Sequence, residues 1–290
     1  MVGSATSPRP NHVKDITMKL SVPIFALLLS CVGTICAAEP QPSDVSFKAN
    51  CDGSEQRYMV ILPADFQARR PHDVLIALHG HGSDRNQYVT STRDECRGAR
   101  DVATKYSMIF VSPDYRATTS WMGPKAEADV LQIIDELKTQ YKVARVFMAG
   151  ASMGGSAALT FAALHPDLIA GVSSQNGTAN HMEYENFQDA IQASFGGTKQ
   201  QIPDEYKKRS AELWSKKLTM PVAIAAGAKD TIVPPQSVVR LAQDLNRLKR
   251  KVQLIFREDG GHSTNYADTV AGIEFVIQNA KPASRRSKAK

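Results

Sequence analysis

Cysteine is scarce in this chain, with four in 290 residues, and two of those, Cys31 and Cys36, sit in an apolar stretch near the N-terminus. Cys51 and Cys96 remain for a folded body, too few for a disulfide-built scaffold. No His/Cys/Asp cluster shows metal-ligand spacing, and no G-x-G-x-x-G or phosphate loop follows an apparent strand. No metal or cofactor is therefore expected. No repeat is visible, and no Pro/Ser-rich linker interrupts residues 45–280, so that stretch reads as one domain. A general basic surface is missing too. The net charge is +6, but residues 1–38 carry +2 and residues 281–290 carry +5, which leaves the body at −1. That balance argues against a nucleic-acid partner.

The one long apolar run, Leu20 to Ile35, follows Lys19 and ends in Cys36-Ala37-Ala38. It reads as a secretory signal peptide, with Met18 as a natural start, 1–17 as an upstream extension and a mature chain from Glu39. The run is short for a membrane span. An uncleaved anchor is the alternative, and "LLSC" at 28–31 is a faint match to a lipoprotein box. The expected location is secreted or periplasmic, with no stable membrane partner after cleavage. In that oxidising compartment, pairing of Cys51 with Cys96 is favoured over two separate buried thiols. The tail at 281–290, "KPASRRSKAK", has no apolar face and is expected to be disordered.

Between 45 and 280, strand-like runs alternate with helical periodicity. "QRYMVILP" (56–63) alternates like an early antiparallel strand. "VLIALHG" (74–80), "MIFVSPDY" (108–115) and 145–149 are continuous apolar runs of the kind buried on both faces. Three more strand-like runs lie at 168–177, 222–230 and 252–259, and helices are expected at 92–106, 125–141, 153–165, 236–249 and 266–279. The rhythm predicts an α/β fold with a mostly parallel sheet and helices on both faces. Residues 178–218 break it. They are polar and partly helical, a small insertion placed to cap a pocket, with Trp214 expected in its core.

Ligands of open α/β sheets bind beyond the carboxyl ends of the strands. Those ends carry His79-Gly80-His81-Gly82, Gly150-Ala151-Ser152-Met153-Gly154, Gly227-Ala228-Lys229-Asp230 and Gly260-Gly261-His262. A serine hydroxyl needs a base to take its proton and an acid to orient the base. Ser152, Asp230 and His262 are the candidates, each after its own strand. Asp259 and Asp204 compete for the acid's role. Small residues around Ser152 suit a tight strand-to-helix elbow. The backbone N–H groups of Met153 and His81 are the expected oxyanion donors, with no catalytic role for the side chains of His79 and His81. Trp121, in a loop after the strand ending near Tyr115, is placed either as a substrate wall or as a loop anchor. Asn176-Gly177-Thr178 fits a glycosylation sequon, but it abuts a strand end and no glycan is expected.

The segments "LHGHG", "GASMGG", "GAKDTIVP" and "GGH" resemble the α/β-hydrolase superfamily over about residues 55–280. Within it the chain resembles secreted feruloyl and acetylxylan esterases and the catalytic domain of prolyl-oligopeptidase relatives. The resemblance implies Ser152, Asp230 and His262 as nucleophile, acid and base, with His81 and Met153 at the oxyanion. The peptidase relatives filter substrates with an N-terminal propeller, which has no counterpart in these 290 residues. The expectation is therefore a serine carboxylesterase acting on small-molecule or polysaccharide-linked esters. A serine peptidase and a non-catalytic binding protein of the same fold are the rivals.

Overall fold

A computed structural model describes residues 41–282. The expected leader, its expected cleavage site and all but the start of the basic tail lie outside the described residues. The strands are β1 (Ser43–Lys48), β2 (Glu55–Ile61), β3 (His72–Leu78), β4 (Ile109–Pro113), β5 (Val143–Ala151), β6 (Gly171–Gln175), β7 (Val222–Gly227) and β8 (Val252–Arg257). They form one sheet in the order β1-β2-β4-β3-β5-β6-β7-β8. Pairings from β4 to β8 are parallel, whereas β1 and β2 join antiparallel at one edge. This is the mostly parallel sheet expected from the rhythm, in the α/β-hydrolase fold that the resemblance implies.

The helices are α1 (Gln87–Thr90), α2 (Asp94–Lys105), α3 (Pro124–Gln140), α4 (Met153–Leu164), α5 (Gln188–Phe195), α6 (Pro203–Lys208), α7 (Gln236–Arg247) and α8 (Tyr266–Asn279), with a 3-10 helix at Ala211–Lys217. Alternation along the strands divides the core in two. Val74, Ile76, Leu78, Val146 and Met148 face the layer of α3, α4 and α7. Leu75, Ala77, Phe147 and Ala149 face α2 and α8. The central strands are buried on both faces, which explains their unbroken apolar sequence. Burying one Leu or Ile side chain such as Leu75 or Ile76 stabilises the fold by about 1.5–3 kcal/mol. Helix α4 is buried on every side from Met153 to Ala163, as its small apolar residues predict.

Two expectations fail here. Cys51 is exposed, Cys96 is buried in the layer under α2, and both are free thiols. Cys51 instead lies against the Arg116 guanidinium, Sγ to Nη2 3.3 Å, while Cys96 packs as a small hydrophobe. Trp214 is 38% exposed, not core. Its indole donates to the Lys207 carbonyl at 2.8 Å and lies under the Lys217 ammonium. The insertion buries Tyr206, Arg209, Ala211 and Leu218 in its place.

Candidate active site

Strand β5 runs straight into α4, and Ser152 forms the turn at φ 58°, ψ −124°. That left-handed backbone is strained for a residue with a Cβ, and such strain concentrates at functional positions. It points the hydroxyl away from both elements, and its neighbours explain how the turn closes. A Cβ at Gly154 would fall on the Leu78 carbonyl, and one at Gly150 on the Gly154 carbonyl. Only glycine lets α4 start this close to β3 and β5.

Two loops from adjacent strands bring up the other groups. His262 Nε2 lies 2.9 Å from Ser152 Oγ, and His262 Nδ1 lies 2.7 Å from Asp230 Oδ2. The loops are tied by the backbone: Ala228 N–H donates to Arg257 O at 2.9 Å and Lys229 N–H to Gly260 O at 2.8 Å. Asp230 is 4% exposed. Its second oxygen, Oδ1, accepts from Ile232 N at 2.9 Å and Val233 N at 2.8 Å. The carboxylate is thereby locked toward the imidazole. Asn176 reaches across from the end of β6, its Nδ2 donating to Ser263 O at 3.0 Å. At 5% exposure Asn176 is bound into the histidine loop. The rival acids lie elsewhere: Asp259 is exposed and pairs with Lys229, Nζ to Oδ1 2.6 Å. Asp204 is exposed on α6 and pairs with Lys207.

The backbone N–H of His81 finds no acceptor among the described residues. The N–H of Met153 stands in the first turn of α4, where helix amides lack intrahelical partners. His79 has a carbonyl beside each ring nitrogen, Gly80 O at 2.8 Å and Asp114 O at 3.0 Å. Burial lowers its pKa, and the neutral ring donates to only one of the two as it packs beneath the loop. Gln87 holds the same loop from above, its Oε1 accepting from Gly80 N at 2.9 Å.

Trp121 is an anchor: it is 1% exposed and cannot offer its face to a ligand. Its ring lies against Tyr184 and Phe187, with centroids at 5.5 and 5.6 Å, and its Nε1–H donates to His81 Nδ1 at 3.3 Å. The wall itself is Phe187, whose ring packs tilted against His81, centroids 4.4 Å apart, and lines a cavity of about 250 Å³ with Ser152 and His262. Ile232, Gln87, Arg93, Glu95 and Thr264 complete that lining. Sequence reasoning missed these positions because, apart from Ile232 in the "GAKDTIVP" segment, none belongs to a motif; for Phe187 the one available signal was placement of the insertion after β6.

Behind the wall lies a buried cation. Arg209 is fully buried and donates to Met122 O through Nη1 at 2.6 Å and to Glu127 Oε2 through Nη2 at 2.7 Å. Burial favours the neutral form of Glu127, but the His165 hydrogen bond and the Arg209 charge outweigh it and hold the carboxyl at about 2. The pair bolts the insertion to α3 and fixes the turn that carries Trp121. Among the described residues, no group of three or more His, Cys, Asp or Glu side chains is arranged to hold a metal ion.

The assembled groups suit acyl transfer. Nδ1–H of His262 donates to Asp230, which leaves the Nε2 lone pair for the Ser152 proton. His81 lines the same cavity as Ser152, and Met153 follows the serine at the start of α4.

The model of the prolyl oligopeptidase family matches residues 115–276. No curated protein matches the chain. Among solved structures, a protein assigned as a dipeptidyl aminopeptidase IV, from Bacteroides ovatus, superimposes with a TM-score of 0.65 at 18% identity; the match covers 83% of this chain and 36% of that one. The chain thus spans about a third of that relative's length. Fluorophosphonate-binding serine hydrolase F of Staphylococcus aureus gives a TM-score of 0.63 at 20% identity over 83% of this chain and 99% of that one. A ferulic acid esterase gives 0.62 at 17% identity over 83% and 98%. At these identities the likeness is one of fold.

Proposed function

The chain belongs to the prolyl oligopeptidase family of serine hydrolases, and from that premise we propose that it is an exported carboxylesterase working through an acyl-enzyme on Ser152. The observation that carries the reading is the relay of Ser152, His262 and Asp230, at 2.9 and 2.7 Å, opening into the cavity walled by Phe187 and Ile232. His262 takes the Ser152 proton as Oγ attacks the ester carbonyl. The amides of Met153 and His81 receive the negative oxygen. Collapse releases the alcohol, which takes its proton from His262. Water, activated by the same imidazole, then attacks the acyl-enzyme and frees the acid. Asp230 keeps the proton on Nδ1 and stabilises the imidazolium.

A cavity of about 250 Å³ suits one acyl or aryl group, and an ester carbonyl needs less activation than an amide. Both points favour small-molecule or sugar-linked esters, and the apolar leader at 20–35 favours export. The family match supports a second reading, a serine peptidase with the same relay. Paired substrates separate the two: an aryl-acyl ester and the amide of the same acid. Turnover of the ester alone supports the esterase, and preferential cleavage of the amide replaces it with the peptidase. In either case a fluorophosphonate probe should label the wild type and spare Ser152→Ala. Equal labelling of both would remove Ser152 from the mechanism.

A further inference from the structure

The cavity beside Ser152 has two unlike walls. Phe187 and Ile232, 38% and 44% exposed, form the apolar one, on the side of the insertion. Gln87, Arg93 and Glu95 form the other, where α1 and α2 begin.

The polar wall is built around a buried acid. The Glu95 side chain is 2% exposed, and burying a carboxylate is costly unless its oxygens are filled. Thr264 Oγ1 donates to Oε2 at 2.5 Å and Gln87 Nε2 to Oε1 at 3.4 Å. Arg93 Nε stands 3.2 Å from the same Oε1. The acid therefore tethers the Arg93 guanidinium at its Nε side. The side chain is otherwise 67% exposed, and among the described residues nothing accepts from Nη1 or Nη2. The other carboxylate near the cavity, Asp230, is turned to His262 and two backbone amides. The charged donors left open toward the cavity are thus the Nη groups of Arg93, the edge of a planar fork whose geometry matches a carboxylate.

We propose that Arg93 is a specificity-determining residue, and that the site takes esters bearing a carboxylate on the half of the molecule that lies toward α2, with an apolar half on Phe187 and Ile232. This rests on the serine-hydrolase reading of Ser152 and adds to it a class of substrate. The carboxylate can belong to the acyl half, as in a monoester of a dicarboxylic acid, or to the alcohol half, as in an acylated hydroxy acid. The two differ in which product keeps the charge.

The test compares kcat/KM for p-nitrophenyl hemisuccinate against p-nitrophenyl butyrate, and for an O-butyryl aryl hydroxy acid against its methyl ester. The readout is the anionic-to-neutral ratio within each pair, in wild type, Arg93→Gln and Arg93→Lys. One pair should show the preference, mainly through KM. That ratio should fall about fivefold in Arg93→Gln, the upper range for an exposed ion pair, and recover in part in Arg93→Lys. Raising the salt concentration should shrink it in the wild type. The pair that responds identifies the charged half. A ratio that Arg93→Gln leaves unchanged in both pairs overturns the proposal. To separate that outcome from a failure of the esterase reading, calorimetry on Ser152→Ala measures binding of phenylpropionate against phenylpropionamide, with no catalysis required. A carboxylate preference that Arg93→Gln in this background weakens supports the subsite. Equal binding of acid and amide, or a preference that survives Arg93→Gln, refutes it.

Discussion

Trp121 donates its indole N–H to Nδ1 of His81, 3.3 Å away. A ring buried behind the cavity thus acts one step removed, through His81, which lines that cavity beside Ser152. The bond places the His81 proton on Nε2, and burial lowers the pKa of the ring, so the imidazole is neutral where it packs against Phe187. Trp121→Phe keeps the packing and loses the bond. Turnover should fall about two- to tenfold, the scale of one neutral hydrogen bond, with KM nearly unchanged. Trp121→Ala should instead lower stability by about 3–5 kcal/mol. Steady-state kinetics beside thermal melts separate the two effects. A KM change as large as that in kcat for Trp121→Phe would return the indole to the substrate's surface.

Asp230 and Asp259 offer a matched pair of tests. Asp230→Asn should lower kcat by roughly 10³ to 10⁴, because the amide no longer selects the tautomer with the proton on Nδ1. Asp259→Asn removes only an exposed ion pair with Lys229 and should change kcat less than about twofold. A severe loss at Asp259 with a mild one at Asp230 would move the acid.

Why the relay was readable and its surroundings were not has a physical basis. The elbow's chemistry needs glycine where α4 meets β3 and β5, so Gly150 and Gly154 mark Ser152 in the local chain. The parallel rhythm then places Asp230 and His262 at neighbouring strand ends. Strand β1 left no such mark: it lies at the antiparallel edge with most side chains exposed, so little burial shapes its sequence. Arg209 gave the reverse problem. Its one local partner, Glu205 four residues back, is the pairing any solvated helix arginine makes, and the partners that go with complete burial, Glu127 and Met122, come from a distant helix and turn. For the two tryptophans residue type was a weak guide: packing decides for the anchor at Trp121, which the sequence left open, and leaves Trp214 exposed where a core position was expected.

The Glu127 carboxyl, held at about 2 in the fold against an ordinary 4.5, makes stability depend on pH with a definite sign. Its contribution is complete above about pH 4.5 and is lost as pH falls toward 2. Glu127→Gln should cost about 1–2 kcal/mol at pH 7, in the lower range for charged hydrogen bonds because water reaches one flank of the carboxylate. The gap between wild type and variant should close progressively from pH 5 to pH 2. Urea melts across that range provide the measurement, and a constant gap would show that proton uptake by Glu127 is not linked to unfolding.

The two body cysteines should behave as different thiols. Burial, with help from Glu95, pushes Cys96 up to about 12, and its side chain is inaccessible. Cys51 is exposed, although burial of its sulfur and the nearby Asp129 raise its pKa as well. Iodoacetamide should modify Cys51 slowly in the native protein and Cys96 only after unfolding. Peptide mapping without reductant would show two alkylatable sites, and recovery of a Cys51–Cys96 cross-linked peptide would contradict the fold.

The glycine contact between α4 and β3 also bears on how such a site can diversify. No side chain fits at Gly154 without lifting the helix off the central strand, so the nucleophile's setting is fixed by the sheet itself. Phe187 and Ile232, by contrast, come from the insertion and from the loop after β7, and neither supports the sheet. Mutational drift, or a designer seeking room for a bulkier acyl group, has freedom in those outer segments and almost none beneath the serine. Selectivity in this scaffold can be exchanged by replacing a surface segment while the reaction chemistry is inherited intact.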